Sequence, residues 1–438
     1  VNTLISTAQW LADNIFGQPA FLIGLVALVG LLLQNKPASV VVSGTLKTIL
    51  GFLIISAGSG VLTGALGIFE PMWNTIFGIE SPPVLQGTPD FLAEYGSIVA
   101  LVMTFGFLLN VLLARFTKFK YIYLTGHMMF WVTLITTAIL VEAIPGISKT
   151  ALLIIGSLLM GVYWTLQPAY TQKFMKKITG NDQIALGHTS SSVSFLAAIV
   201  GKYIGNPEQS TEKIKLPKGL DFLKDSNVII TIVMGLLYAV GATIIYLRPD
   251  FGTNPAIQQL ASKAGSQNFI IYGFLQGFQF AAGIAVILYG VRLFIGELVP
   301  AFKGIATKIA PNAVPALDCP VVFPYAPTAT IIGFLSAFVT ALLWLVVLGT
   351  SGAHAFVPTM IVIFFHAATA GVFGNITGGV RGAIAGGIIT STVVALGQWW
   401  MVGALAHTVP DTVLWAADSD MFIFGFILSS VAKLFAGI

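Results

Sequence analysis

Charge is what this sequence has least of. Only 9% of its 438 residues are Asp, Glu, Lys or Arg, against about a quarter in soluble globular domains. That scarcity excludes a water-soluble enzyme of this length, because no stretch is polar for long enough to form a soluble catalytic domain. Cysteine is almost missing too: Cys319 stands alone, so no internal disulfide can form. The chain has no GxxxxGK[ST] phosphate loop, and its five histidines show no HExxH spacing. Nucleotide hydrolysis, a metal site and a cofactor are therefore not expected. The 21 Lys and Arg exceed the 17 Asp and Glu by a net charge of +4. So mild an excess reads as basic cytoplasmic loops rather than a nucleic-acid partner. What abounds is apolar, with 56% hydrophobic residues and a mean hydropathy of +0.91. The class that fits is a polytopic helical membrane protein, with the lipid bilayer as its solvent. The first apolar run, Ala20–Leu33, lacks a basic stretch before it, so no cleavable signal peptide is expected.

A helix crosses the hydrocarbon core in about 20 mainly apolar residues. Such runs occur at 19–35, 41–65, 95–115, 121–142, 149–168, 227–247, 268–296, 328–349, 355–374, 380–404 and 419–437, about eleven crossings. Two more apolar pieces, 183–204 and 313–326, are interrupted by Gly or Pro and are expected as re-entrant or broken hairpin segments. Broken backbone at membrane depth is tolerated only where protein buries it or it lines a cavity, so a substrate is expected there. The fold class is thus all-α and polytopic. Segment 66–94 carries Glu70, Glu80, Asp90 and Glu94 without Lys or Arg and reads as outside. Arg115, Lys118 and Lys120, then Lys173, Lys176 and Lys177, then Lys213, Lys215, Lys218 and Lys224, read as cytoplasmic. The N-terminus is then outside and the C-terminus inside. Gly51, Gly58 and Gly64 recur as Gly283, Gly290 and Gly296, an offset of 290 − 58 = 232. The same offset pairs Pro83 with Pro315, Leu85 with Leu317 and Gln86 with Asp318. We read one membrane domain over 1–438 with repeat halves 1–204 and 227–438. An odd number of spans per half makes the repeat inverted.

Ionisable groups at bilayer depth are functional candidates by default. Asp318 sits among Pro315, Pro320 and Pro324, which interrupt any helix there; it reads as a substrate or coupling group, or as a helix cap. His127 and His188 each follow a glycine, and His188 precedes the hydroxyls of Thr189, Ser190, Ser191 and Ser192. Imidazole both donates and accepts, which suits a polyhydroxy ligand; the alternative is a core histidine bonded to a carbonyl. His366 is expected to be structural, and His354 and His407 to lie in loops. Gly58 and Ser59 end a span whose backbone could line a ligand site, and Gly60 with Gly64 would permit close helix contact. Residues 371–382 are expected as a glycine-rich turn between two spans. Arg292 and Glu297 are expected to pair, and Lys47 to snorkel.

Five stretches carry a family resemblance: Gly-Ser-Gly at 58–60, Leu-Thr-Gly-His-Met-Met-Phe at 124–130, Leu-Gly-His at 186–188, Ala-Leu-Asp-Cys at 316–319, and Phe-Phe-His-Ala-Ala-Thr-Ala-Gly-Val-Phe-Gly-Asn at 364–375. Together they resemble the membrane permease component, enzyme IIC, of the L-ascorbate-type phosphotransferase system, a group related to the galactitol-type permeases. The resemblance implies eleven spans, a homodimer, and a core domain that moves against a scaffold domain as an elevator in a bacterial inner membrane. It also implies cytoplasmic IIA and IIB partners, with IIB phosphorylating the substrate, so no catalytic residue is expected here and enzyme status stays open. Ser59, His127, His188 and Asp318 match the family's ligand positions. Trp131 and Thr189 stand where the family typically has glutamines, which bears on selectivity. The expected substrate site is Gly58, Ser59, His127, Trp131, His188, Thr189 and Asp318, for L-ascorbate or a related polyol. A cation-coupled transporter using Asp318 as its ion site is the competing reading. An intramembrane enzyme lacks a nucleophile constellation, and a channel fits broken helices less well than a carrier.

Overall fold

The computed structural model describes residues 10, 19–78, 88–214, 225–350, 359–409 and 417–436. His354, Glu80, Lys215, Lys218, Lys224 and the repeat partners Pro83, Leu85 and Gln86 lie outside the described residues. The apolar runs become helices: α1 (Pro19–Leu33), α2 (Ala38–Phe77), α3 (Thr88–Phe116), α4 (Gly126–Ala143), α5 (Lys149–Thr179), α6 (Ser191–Ile204) and α7 (Ser226–Tyr246), followed by the short α8 (Pro255–Ser262). Then come α9 (Phe269–Lys308), α10 (Pro327–Thr350), α11 (Met360–Ala404) and α12 (Ser419–Ala436). Among the described residues, seven helices are long and apolar enough to cross a membrane, with Ala20–Leu33, Ser191–Ile204 and Ile230–Tyr246 as shorter apolar ones. The chain is an all-α polytopic membrane protein. Ile154, Leu158, Val162 and Leu166 of α5 stand exposed at intervals of four residues, one helical stripe turned to lipid.

The turn expected over 371–382 narrows to a single residue, with helix on either side of it. The helical segment Met360–Ala404 breaks at Gly379, whose φ of 60° is left-handed, a conformation glycine adopts without penalty. Its two arms fold back on each other, so close that a Cβ on Gly374 would strike the Gly382 carbonyl.

The helices sort into two bundles, each drawing on both halves of the chain. In one, α1, α2, α7, α8 and α9 pack mainly on one another; in the other, α3 to α6 join α10, α11 and α12. Helices α2 and α9 each have 40 residues. At 1.5 Å per residue that is about 60 Å, roughly twice the hydrocarbon thickness, so each is tilted or projects beyond it. They run antiparallel along a seam where a Cβ on Gly58 would lie 2.9 Å from the Gly283 carbonyl, and one on Gly283 2.9 Å from the Leu62 nitrogen. The expected close contact at Gly60 and Gly64 does not form: a Cβ at either would meet nothing within 4 Å. Glu297 does not pair with Arg292 but with Lys47 across the same seam, at 3.3 Å. The bundles meet partly through rings, Phe280 of α9 against Phe334 and Phe364 at 5.9 and 5.4 Å, and Phe69 of α2 against Phe338 at 4.9 Å.

One feature departs from the all-helical expectation. The run at 121–142 holds a span, but it starts later than expected: Tyr121–Tyr123 is a strand (β1), and α4 begins only at Gly126. The two broken pieces likewise open with strands, β2 (Ala185–Leu186) and β3 (Val314–Leu317). They form a parallel sheet in the order β1-β3-β2, with Tyr123 opposite Ala316 and Leu186 opposite Leu317. A sheet edge inside a membrane protein must find partners for its backbone. Asn110 of α3 supplies them for β1, donating to the Tyr121 carbonyl (3.0 Å) and accepting from the Tyr123 N–H (3.0 Å). Gln172 of α5 does the same beyond β2, donating to the Ile184 carbonyl at 3.2 Å.

Candidate functional site

Parallel strands end on the same side, so the residues that follow them converge. His127 lies four residues past β1, His188 two past β2 and Asp318 one past β3. Extra bonds carry the pairing to the ends of the strands: Leu124 N–H to the Ala316 carbonyl (2.9 Å), Gly187 N–H to the Leu317 carbonyl (2.7 Å), and the Thr125 hydroxyl to the Gly187 carbonyl (2.6 Å). Asp318 ends between the two imidazoles, Oδ2 at 3.5 Å from His127 Nε2 and Oδ1 at 3.6 Å from His188 Nε2. Its Oδ1 also accepts the Cys319 N–H at 2.7 Å, capping the 3-10 turn Cys319–Tyr325. The capping and ligand readings of Asp318 are therefore compatible. The Ser190 N–H donates to His188 Nδ1 at 3.1 Å, so the neutral ring carries its hydrogen on Nε2, facing Asp318.

These groups open into a cavity of about 490 Å³ between the bundles. Ser59, His127, His188 and Asp318 all line it, with Phe52, Ile55 and Ser56 of α2 opposite. His127 and Asp318 are partly open to it, whereas only 3% of the His188 side chain is exposed. The other expected residues stand apart. Gly58 faces α9 in the helix seam, and Trp131, against Phe130 at 5.2 Å, is not among the lining residues. Thr189 is fully buried behind the wall, its hydroxyl donating to Asp418 Oδ2 at 2.6 Å.

Sequence reasoning overlooked a second layer. His366 of α11 lines the cavity, its ring 4.9 Å from that of His188, and Asp418 Oδ1 lies 3.3 Å from His366 Nε2. Asp420 anchors the start of α12: Oδ1 accepts the Ser192 N–H (2.9 Å), and Oδ2 accepts from the Tyr163 hydroxyl (3.0 Å) and Gln167 (3.4 Å). Gln167 also donates to the His188 carbonyl. The available signal was the pair of carboxylates at 418 and 420 beside an apolar run. Donor atoms of His188, Asp318 and Cys319 lie within 4.8 Å of one another.

A cavity between two apolar helical bundles, with a few polar groups presented by broken segments on one wall, is the architecture of a small-molecule permease. Residues 14–436 match the family of the PTS system sugar-specific permease component, and the chain belongs to that family. It is 30% identical over 412 residues to the ascorbate-specific PTS system EIIC component of Mycoplasma pneumoniae. That alignment covers 84% of this chain but 62% of the relative, so the chain spans less than two thirds of that protein's length.

Proposed function

We propose that this permease binds L-ascorbate or a related polyol and carries it inward by alternating access, while a cytoplasmic IIB protein, charged by IIA, phosphorylates it. The carrying observation is Asp318 set between His127 and His188 on the wall of a cavity whose other lining is mainly apolar. A carboxylate accepts two or more hydroxyls and each imidazole can donate to one, the complement a polyhydroxy ring requires. The mycoplasma relative's name supports ascorbate, and the loss of two amides at Trp131 and Thr189 leaves room for another polyol. The ligand set is Ser59, His127, His188 and Asp318, with Thr189 behind it and Gly58 holding α2 against α9. No residue of the chain is assigned a catalytic role.

Two bundles with the cavity between them support a core that moves against a scaffold. The equal lengths of α2 and α9 support repeat halves 1–204 and 227–438. The protein would work as a homodimer in a bacterial inner membrane, N-terminus outside and C-terminus inside. The test is uptake of radiolabelled L-ascorbate by cells making the full chain, with and without IIB. Phosphorylated product that vanishes on IIB deletion is expected. Uptake that ignores the deletion, collapses with the ion gradient and leaves the sugar unmodified would overturn the proposal in favour of cation coupling at Asp318.

A further inference from the structure

A second large cavity lies apart from the ligand site, where α1 turns into α2 beside the last turns of α9. It measures about 540 Å³ and shares no lining residue with the first. Backbone contacts fix one side of it. Gln34, just past the end of α1, donates to the Gly30, Pro300 and Ala301 carbonyls at 3.0, 3.0 and 3.1 Å. The two helices approach so closely there that a Cβ on Gly30 would strike the Ala301 carbonyl.

The lining is basic and only partly paired. Lys36, Lys47 and Lys303 face a single carboxylate, Glu297, which leaves the lining a net charge of +2. Lys47 already engages Glu297 at 3.3 Å, and Lys36 and Lys303 make no ion pair among the described residues. Ser39 and Ser43, one helical turn apart, bring two hydroxyls with no hydrogen-bond partner among the described residues. The first turn of α2 opens at the same place, and its dipole adds to the positive potential that the lysines set up. Two ammonium groups and two hydroxyls are the donors that phosphate oxygens accept from.

Beside this hollow the surface turns apolar. Leu46 and Leu50 follow Ser43 along the same face of α2, at intervals of three and four residues, and are 59% and 51% exposed. A free phosphate gains nothing from that stripe, whereas a phosphate carrying acyl chains covers it. We propose that the cavity is a headgroup site for an anionic phospholipid. Its phosphate is held by Lys36, Lys303 and the two serines, and its chains lie along Leu46 and Leu50. Basic hollows between membrane helices take such headgroups. The inference needs only the membrane-spanning fold, so it stands apart from the identity of the transported ligand. The site touches α1, α2 and α9 and nothing of the other bundle, so an occupying lipid stabilises the bundle that carries the smooth side of the ligand cavity.

The experiment is native mass spectrometry of the purified full chain in detergent, titrated with phosphatidylglycerol or with phosphatidylcholine of the same acyl chains. The thermal midpoint is followed alongside. The wild type is expected to prefer phosphatidylglycerol about 25-fold and to melt at a higher temperature in its presence. Lys36→Gln and Lys303→Gln change exposed side chains. Each is expected to weaken phosphatidylglycerol about fivefold, and the pair to bring the preference near one, with phosphatidylcholine binding and the lipid-free midpoint unchanged. Lys118→Gln with Lys177→Gln removes the same charge from the other bundle and is expected to leave the preference intact. A wild type without a preference overturns the site, as does a preference that survives the double variant. An equal loss in the control pair overturns it in favour of diffuse charge. If inorganic phosphate alone raises the midpoint and displaces phosphatidylglycerol, the cavity takes a free anion and the lipid assignment falls. If the double variant dissociates a dimer and leaves lipid binding unchanged, the groove is an interface between copies and the proposal is overturned.

Discussion

The two walls of the cavity are built by opposite means. On one side Phe52, Leu53, Ile55, Ser56 and Ser59 project from the unbroken helix α2, together with Ala20 of α1. On the other, the polar groups sit where regular structure begins or ends: His127 in the first turn of α4, His188 and Asp318 just past β2 and β3, and Asp418 just before α12. His366 alone comes from within a helix. An unbroken helix consumes its own backbone groups and offers only side chains along one stripe. Strand ends bring His127 and His188 each to within 4 Å of Asp318. Under the proposed function, recognition falls to the broken wall, and the smooth wall faces it across the cavity.

The largest expected effect tests that division directly. Asp318→Asn keeps an oxygen for the Cys319 N–H, so the 3-10 turn survives. It removes the charge between the two imidazoles. Charge-assisted hydrogen bonds contribute about 1.5–3 kcal/mol each, so loss of two predicts ligand binding weakened about 100-fold or more in a protein of unchanged thermal midpoint. Binding within tenfold of wild type would show that the carboxylate does not organise the broken wall.

Gly283→Val strikes the smooth wall instead. Its added carbons meet backbone of α2, the Leu62 nitrogen and the Gly58 carbonyl, which cannot step aside as a side chain would. Overpacking of this kind costs about 1–3 kcal/mol, and the unfolding midpoint in detergent is expected to fall by several degrees. The fraction that stays folded should bind its ligand within about twofold of wild type. A variant that keeps its midpoint but loses binding would place recognition on the α2–α9 side and reverse the comparison.

How much of this was legible follows the same division. The smooth bundles were, because a long apolar run has one solution in lipid; α2, α3, α5, α9 and α10 lie where hydropathy puts them. The irregularity of 183–204 and 313–326 was legible from glycine and proline, and with it His188 and Asp318 as candidates that line the cavity. The sheet was not. Tyr121–Tyr123 is a three-residue strand flush against an apolar helix, too short for a period of two to register. Its pairing depends on residues nearly 200 positions away. Asp418 escaped because it sits at the edge of a span, where a carboxylate reads as ordinary loop, and His366 because one imidazole in an apolar helix names no partner. Close approach was expected at Gly60 and Gly64 and a ligand at Gly58, whereas the backbone of α9 packs against Gly58.

Smaller effects sharpen the picture. Ser59 is the polar group of α2 that the family resemblance assigned to the ligand, and its hydroxyl faces the cavity from the smooth wall. A single neutral hydrogen bond is worth about 0.5–1.5 kcal/mol, so Ser59→Ala should weaken binding about fivefold by isothermal titration. A loss as large as that of Asp318→Asn would mean that the helix reads the ligand as closely as the strand ends do.

Trp131→Gln should change least. It restores the side chain typical of the ascorbate-type permeases, at a position one helical turn beyond His127. Were position 131 a ligand position in this chain, the substitution would alter affinity for ascorbate severalfold, since an amide offers both a donor and an acceptor to ring hydroxyls. The indole instead packs against Phe130 and does not line the cavity. The expected outcome is ascorbate and galactitol affinities each within about twofold of wild type, measured side by side. A selective gain for ascorbate would place α4 beyond its first turn in the site and extend the broken wall into a helix.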